Sequence, residues 1–324
     1  MPEKVAVLGS GSWGTALAIH LSRVGFEPTI CARNLDTINE INNEHQNRSY
    51  LHGIAIPEII KATANLADAL VDTQMIIIAL PAQTIKEFVS NVESELFKNK
   101  LVLIAAKGID ALSLEFLSEI VASKLKTSVG VISGPNYAFE VALGLPARTV
   151  IASANLHEAQ KYSELMTNHN FKCEYSNDLR GVELLGAVKN VLAIGCGIVR
   201  GLEIGDNAVA SFFNNGINEI RLLLEHFGGK ADTMFSAAGM GDLILSCTSF
   251  KLRNHNLGIE LGSNKIQVEE ILSRPQLVEG FKTTFSLKKL LDQKDISLPI
   301  FNLIYQVLSG EEPIDAFRSA NIWL

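Results

Sequence analysis

Cysteine is scarce in this chain of 324 residues, and the four present, Cys31, Cys173, Cys196 and Cys247, show no Cys-x-x-Cys spacing and no partner histidine pattern. That excludes a disulfide scaffold and a zinc-ribbon type of fold; they read as reduced core residues of an intracellular protein, with a cytoplasmic location expected. Positive charge is short as well: 28 Lys and Arg stand against 35 Asp and Glu, a net charge of −7. Nonspecific nucleic-acid binding needs a basic surface to neutralise phosphates, so no nucleic-acid partner is expected and any phosphate site must be a local cluster. Low-complexity tracts are missing. The opening Met1-Pro2-Glu3-Lys4 runs straight into an apolar segment, so no signal peptide is expected. Long apolar runs free of charge are missing too: the most apolar stretch, Val182 to Val199, contains Glu183, Lys189 and Asn190, and predicts a buried core helix with no integral membrane association. His20, His226 and His255 lack paired metal spacing, and no metal site is expected.

What is present begins with the strand-like run Val5-Ala6-Val7-Leu8, which leads into Gly9-Ser10-Gly11-Ser12-Trp13-Gly14 and then the helix-forming stretch Thr15 to Leu21. This is a dinucleotide-binding turn in its context. Gly9 permits the tight turn, Gly11 lets the backbone approach a pyrophosphate, Gly14 allows close helix–strand packing, and the helix N-terminus faces the anion. The implied cofactor is NAD(H) or NADP(H). In such units an acid at the end of the second strand bonds the adenine ribose 2′-OH. Here the strand Pro28 to Ala32 ends in Arg33-Asn34, and a guanidinium suits a 2′-phosphate, so NADP(H) is preferred, with NAD(H) possible. The alternative is that Arg33 is a solvated loop charge and Asp36 serves NAD.

The length favours two domains. The first half alternates strands and helices, with further strands predicted at Met75–Leu80, Leu101–Ala106, Val129–Ile132, Thr149–Ala152 and Phe171–Tyr175, their aliphatic runs suiting strands covered on both faces. After about Asn177 the pattern is helical with Gly-rich joints. The predicted fold is α/β: an N-terminal doubly wound, Rossmann-like parallel sheet over 1–180 and a C-terminal all-helical substrate domain over 181–324. In that second half Lys189 has Leu185, Gly186, Leu192 and Ala193 as helical neighbours, all apolar. Burial disfavours an ammonium and tunes a lysine toward proton transfer; the alternative is a lysine snorkelling at a helix edge.

Six blocks then fall in order: GSGSWGTA at the start, Ser133-Gly134-Pro135-Asn136-Tyr137-Ala138, the Lys189-Asn190 helix, Gly201 to Ala208, Gly239-Met240-Gly241-Asp242-Leu243, and Leu252-Arg253-Asn254 followed by Val278-Glu279-Gly280. With these, the chain resembles the bacterial-type NAD(P)-dependent glycerol-3-phosphate dehydrogenases over nearly its whole length. The resemblance implies reversible hydride transfer between NAD(P)H and dihydroxyacetone phosphate, giving sn-glycerol 3-phosphate for phospholipid synthesis, by a homodimer. It implies Lys189 as catalytic proton donor and acceptor, with Lys107, Gly134 and Asp242 lining the substrate site. Arg253 and Asn254 then hold the phosphate, with Arg253 and Lys107 also close to the cofactor. Ser12, Trp13, Arg33, Ala138, Leu277 and Glu279 fall where the family contacts the nucleotide.

Residue chemistry agrees. Hydride arriving at a carbonyl carbon leaves an alkoxide-like oxygen that an ammonium can stabilise and protonate. Lys107 follows a strand, at the sheet edge where open α/β folds bind ligands, although an ordinary surface lysine is the alternative. Asp242 can balance Lys189 and bind a substrate hydroxyl, or it can cap the following helix. Arg253, beside Lys251, offers a planar fork for a phosphate dianion, or is a solvated charge at a helix start. Asp206 reads as the N-cap of the next helix and as support for the site behind it. Two positions depart from the family pattern: Asn136 replaces a small hydroxyl residue yet can still hydrogen-bond, whereas Leu252 replaces a serine and cannot. Arg148 reads as surface charge. The competing readings are a hydroxyacid dehydrogenase or ketopantoate reductase of the same plan, and a non-catalytic NADP(H)-sensing protein.

Overall fold

Aliphatic runs form the centre of an eight-stranded sheet: β1 (Lys4–Leu8), β2 (Glu27–Cys31), β3 (Lys61–Thr63), β4 (Thr73–Ile78), β5 (Leu101–Ile104), β6 (Ser128–Ser133), β7 (Ala147–Ser153) and β8 (Phe171–Ser176). The computed structural model describes residues 3–273 and 278–320. Strand order is β3-β2-β1-β4-β5-β6-β7-β8. In β1, β4 and β5, successive side chains such as Val5, Ala6 and Val7, or Ile76, Ile77 and Ile78, are all buried, because helices cover both faces. The edge strands β3 and β8 expose part of their side chains, as edges that must not recruit other strands do. β3 left no mark in the sequence because it is three residues long.

One junction departs from the predicted parallel sheet: β6 and β7 run antiparallel, with Gly130 opposite Ser153. Two side-chain bonds accompany the reversal. The Asn136 amide donates to the Arg148 carbonyl (3.1 Å) and the Thr149 hydroxyl donates to the Ser133 carbonyl (3.0 Å), tying the returning chain to the end of β6. Arg148 itself is an exposed ion pair with Glu174 of β8.

The chain separates into two units, Met1–Ala106 with Leu117–Leu179, and Lys107–Phe116 with Arg180–Leu324. The predicted single boundary at 180 therefore misplaces Lys107–Phe116. That segment leaves the sheet unit because Ile109 and Phe116 are buried in the apolar core of the helical unit. No strand occurs after β8 among the described residues.

The helical unit is built around Leu179–Gly201, a helix apolar and long enough to cross a membrane but wholly buried as a core element. The helices Asp206–Phe227, Glu279–Gln293 and Pro299–Leu308 pack their apolar faces on it. The helix Arg253–Gly262 lies closest: a Cβ at Gly197 would stand 2.2 Å from the His255 carbonyl oxygen, and one at Gly258 2.1 Å from that of Ile194. Only glycine permits this backbone-to-backbone approach. Asp206 does not cap its helix; Gly205, at φ 101°, holds the N-cap position. Asp206 instead makes an exposed ion pair with Arg200.

Candidate active site

The sequence-predicted site residues divide between the two units. In the sheet unit, the glycine turn lies between the C-terminal ends of β1 and β4, where strand order reverses and open α/β sheets bind ligands. Its three glycines differ in why they are glycine. At Gly9, φ is 119° and a Cβ would sit 2.7 Å from the Ala79 carbonyl oxygen; at Gly14 a Cβ would meet the Gly9 carbonyl oxygen at 2.1 Å. A Cβ at Gly11 would meet nothing within 4 Å, so packing within the protein does not require glycine there. A ligand approaching the backbone there would. Gly11 is also the N-cap of helix Ser12–Arg23 and supplies no side-chain cap, which leaves first-turn N–H groups open to an anion. These residues fit a dinucleotide pyrophosphate.

Other predicted cofactor and substrate positions of this unit are tied to its frame. Trp13 and Ala138 pack on the apolar core. The Ser12 hydroxyl donates to the Tyr50 carbonyl at 2.6 Å. Arg33, just after β2, is exposed, while Asn34 accepts from the Asp36 and Thr37 N–H groups and caps the next helix. Gly134 is glycine because a Cβ would meet the Arg148 carbonyl oxygen at 2.7 Å. Asn136 spends its amide on the same carbonyl.

In the helical unit three predicted residues meet. Lys189 donates from Nζ to Asp242 Oδ1 at 2.7 Å and to Ser246 Oγ at 2.9 Å, while Lys107 Nζ donates to Asp242 Oδ2 at 2.5 Å. Asp242 is 1 % exposed. Burial opposes its charge, yet the two ammonium groups prevail and hold the carboxyl below its ordinary range. Burial acts on Lys107 as well, lowering it to about 8 against the pull of Asp242, with the Lys189 ammonium adding to the fall. Asp242 begins helix Asp242–Thr248 without capping it through its side chain, so its carboxylate is committed to the lysines. Two ammonium groups on one buried carboxylate leave a local positive charge.

Around them, Asn254 donates to Asn190 Oδ1 (3.0 Å) and accepts from the Gly280 N–H (3.1 Å), which sets the start of helix Arg253–Gly262 against the Lys189 helix. Arg253 is the first residue of that helix and is exposed. Its N-cap, Leu252, supplies no side-chain cap, so the missing serine leaves the first-turn N–H groups open. Glu279 feels Lys107, Lys189 and Arg253, but burial outweighs them and raises its carboxyl above the ordinary range. Leu277 lies outside the described residues. Sequence reasoning missed Ser246 and the bracing role of Asn190. The signal for Ser246 was its spacing, one helical turn after Asp242 and so on the same face.

The two halves of the chain match the models for the N-terminus (residues 4–159) and the C-terminus (residues 178–318) of NAD-dependent glycerol-3-phosphate dehydrogenase. A protein of Staphylococcus carnosus named glycerol-3-phosphate dehydrogenase, NAD(P)+, is 38% identical over 318 residues, covering 97% of this chain and 96% of its own. A Thermoanaerobacter protein of the same name is 37% identical, covering 98% and 96%. The crystal structure of glycerol-3-phosphate dehydrogenase from Coxiella burnetii superposes with a TM-score of 0.91 at 33% identity, covering 98% of both chains.

Proposed function

The chain belongs to the NAD-dependent glycerol-3-phosphate dehydrogenase family, and from that premise we propose how its own residues carry the reaction. It is an oxidoreductase that transfers hydride reversibly between NAD(P)H and dihydroxyacetone phosphate, giving sn-glycerol 3-phosphate. When bound, the reduced nicotinamide supplies the hydride. Lys189 stabilises the carbonyl oxygen of the substrate as it gains negative charge and donates the proton that completes the alcohol. An ammonium has three donors; Asp242 and Ser246 take two from Lys189 and leave one for that oxygen. Asp242 orients Lys189 and Lys107, and the excess positive charge draws the anionic substrate in. The phosphate rests on the Arg253 guanidinium and the uncapped N–H groups of its helix, with Asn254 bracing that helix.

In the reverse direction Lys189 takes the hydroxyl proton. The turn Gly9–Gly14 holds the cofactor pyrophosphate, with Ser12, Trp13 and Ala138 of the same unit completing its surroundings. Arg33 pairs with a 2′-phosphate, so NADPH is preferred over NADH. Family likeness supports a cytoplasmic homodimer supplying glycerophospholipid synthesis.

The observation that carries this reading is the pair of lysines on one buried carboxylate. A silent dinucleotide sensor has no use for it. The test is oxidation of NADPH and of NADH with dihydroxyacetone phosphate, dihydroxyacetone and ketopantoate as parallel substrates. The expected outcome is efficient turnover of the phosphate ester alone, at higher kcat/KM with NADPH. Turnover of ketopantoate alone would reassign the substrate, and tight NADPH binding without turnover of any would favour the sensor.

A further inference from the structure

Behind the glycine turn lies Asn47, a residue of the sheet unit that the reaction above does not use. It is fully buried, at 0% exposure, although it sits in a loop whose neighbours Gln46, Arg48 and Ser49 are exposed. Its own backbone is pinned by the Leu51 N–H, which donates to the Asn47 carbonyl at 2.8 Å. Its side-chain amide donates to the Ser10 carbonyl (2.8 Å) and to Thr15 Oγ1 (2.8 Å), while the Thr15 hydroxyl donates to the same Ser10 carbonyl (3.2 Å). The Ser10 carbonyl oxygen thus has a donor for each of its two lone pairs.

A second tie reinforces the first. The Ser12 hydroxyl donates to the carbonyl of Tyr50, in the same loop as Asn47. The loop is thus bonded to both sides of Gly11.

Direction follows from covalent geometry. Ser10 C=O and Gly11 N–H belong to one planar trans peptide, in which the two groups point opposite ways. Holding the carbonyl down onto Asn47 and Thr15 turns the Gly11 N–H outward, and among the described residues nothing accepts from it. If that peptide rotated, the turn would present a carbonyl oxygen to an anion in place of a donor. We propose that Asn47 is a positioning residue for cofactor binding: with Thr15 it fixes the Ser10–Gly11 peptide so that the Gly11 N–H faces the pyrophosphate of the dinucleotide. This rests on the reading of Gly9–Gly14 as the pyrophosphate site.

The test uses the full chain and NADPH, with the dissociation constant measured by fluorescence titration and steady-state kinetics run alongside. Asn47→Leu keeps the volume and removes the donor; Thr15→Val removes the hydroxyl. Asn47→Leu is expected to raise Kd and KM for NADPH about tenfold while kcat at saturating NADPH stays within about twofold, the pattern of lost cofactor binding without lost chemistry. Thr15→Val shifts Kd the same way by less, and the double variant falls short of the combined effects because both bonds end on one carbonyl. Folded Asn47→Leu protein that binds NADPH as the parent does overturns the proposal. So does a fall in kcat with Kd unchanged. If Asn47→Leu does not fold, Thr15→Val decides, and an unchanged Kd there overturns it. Gly11→Val separates this from the underlying reading: a Cβ at this position meets no protein atom within 4 Å, so in folded protein the added bulk acts first on a bound ligand. Loss of NADPH binding in Gly11→Val with none in Asn47→Leu removes the positioning role alone, whereas normal binding in Gly11→Val removes the site itself.

Discussion

A buried histidine of the sheet unit and a buried lysine–aspartate pair of the helical unit meet the same loss of water in opposite ways. His20, 2 % exposed on helix Ser12–Arg23, is pushed by burial to about 4 and remains neutral, with its Nε2 against the Met166 carbonyl. In the helical unit Lys189 and Asp242 are buried as ammonium and carboxylate, each the partner of the other. The anion sites proposed for the two units differ in the same way. Backbone N–H groups at Gly11 serve the pyrophosphate, whereas the substrate phosphate adds the Arg253 guanidinium to the N–H groups of its helix. Backbone amides can hold an anion at any pH without titrating; only a side chain can hand over a proton. In the proposed reaction, anion binding at Gly11 draws on no titratable group, whereas proton transfer draws on Lys189.

The largest effect that would break this contrast is on chemistry. Lys189→Ala is expected to lower kcat by about 10³-fold with the NADPH dissociation constant nearly unchanged, measured by steady-state kinetics and fluorescence titration; a parallel loss of binding would mean the two tasks are not divided between units. Next, Arg253→Ala should raise KM for dihydroxyacetone phosphate on the order of 30-fold and leave unphosphorylated dihydroxyacetone little affected. Equal effects on both substrates would remove the phosphate role.

A third test uses pH, because two buried groups, one in each unit, respond with opposite sign. His20 has its folded value below the ordinary 6.5, so the unfolded chain binds more protons between 6.5 and about 4, and stability from this group falls as pH drops through that window. Glu219 accepts from the Ile300 and Phe301 N–H groups at the start of helix Pro299–Leu308, but burial raises it to about 7. Its contribution is complete below 4.5 and is lost as pH rises through about 7. Each is worth on the order of 3 kcal/mol. Hydrogen exchange should show helix Ser12–Arg23 loosening toward pH 4 and helix Pro299–Leu308 loosening toward pH 8, with Glu219→Gln abolishing only the second trend. The smallest effect concerns cofactor choice: Arg33→Asp is expected to move the NADPH to NADH ratio of kcat/KM about tenfold toward NADH.

Much of this was legible in the chain itself. The glycine turn and its helix are contiguous in the chain, with Gly14 answering to the Gly9 carbonyl five residues before it, and the aliphatic strands announce their burial by lacking polar alternation. Lys189 was legible because its helical neighbours are all apolar. Where the reading departed from the structure, the cause was distance in sequence. Lys107 and Asp242 are 135 residues apart, and nothing near Lys107 says that its segment crosses into the helical core. The reversed β7 is fastened by side-chain bonds from Asn136 and Thr149 to the Arg148 and Ser133 carbonyls, the latter joining residues 16 apart. The Asp206 reading failed for a local reason instead: Gly205, at φ 101°, takes the N-cap position.

The sequence by itself therefore determined the elements and the chemistry available to them: residue type and short-range periodicity decide which segments become strands or helices, and which side chains can hold anions or move protons. Tertiary structure alone decided which of those groups meet. It brought two lysines and Ser246 onto Asp242, set the Gly197–Gly258 contact that carries Asn254 to Asn190, and placed the Asn47 loop against the Ser10 carbonyl. The physical reason is that hydrogen bonds and ion pairs act over a few ångströms. Packing of whole elements, not neighbourhood along the chain, sets such distances.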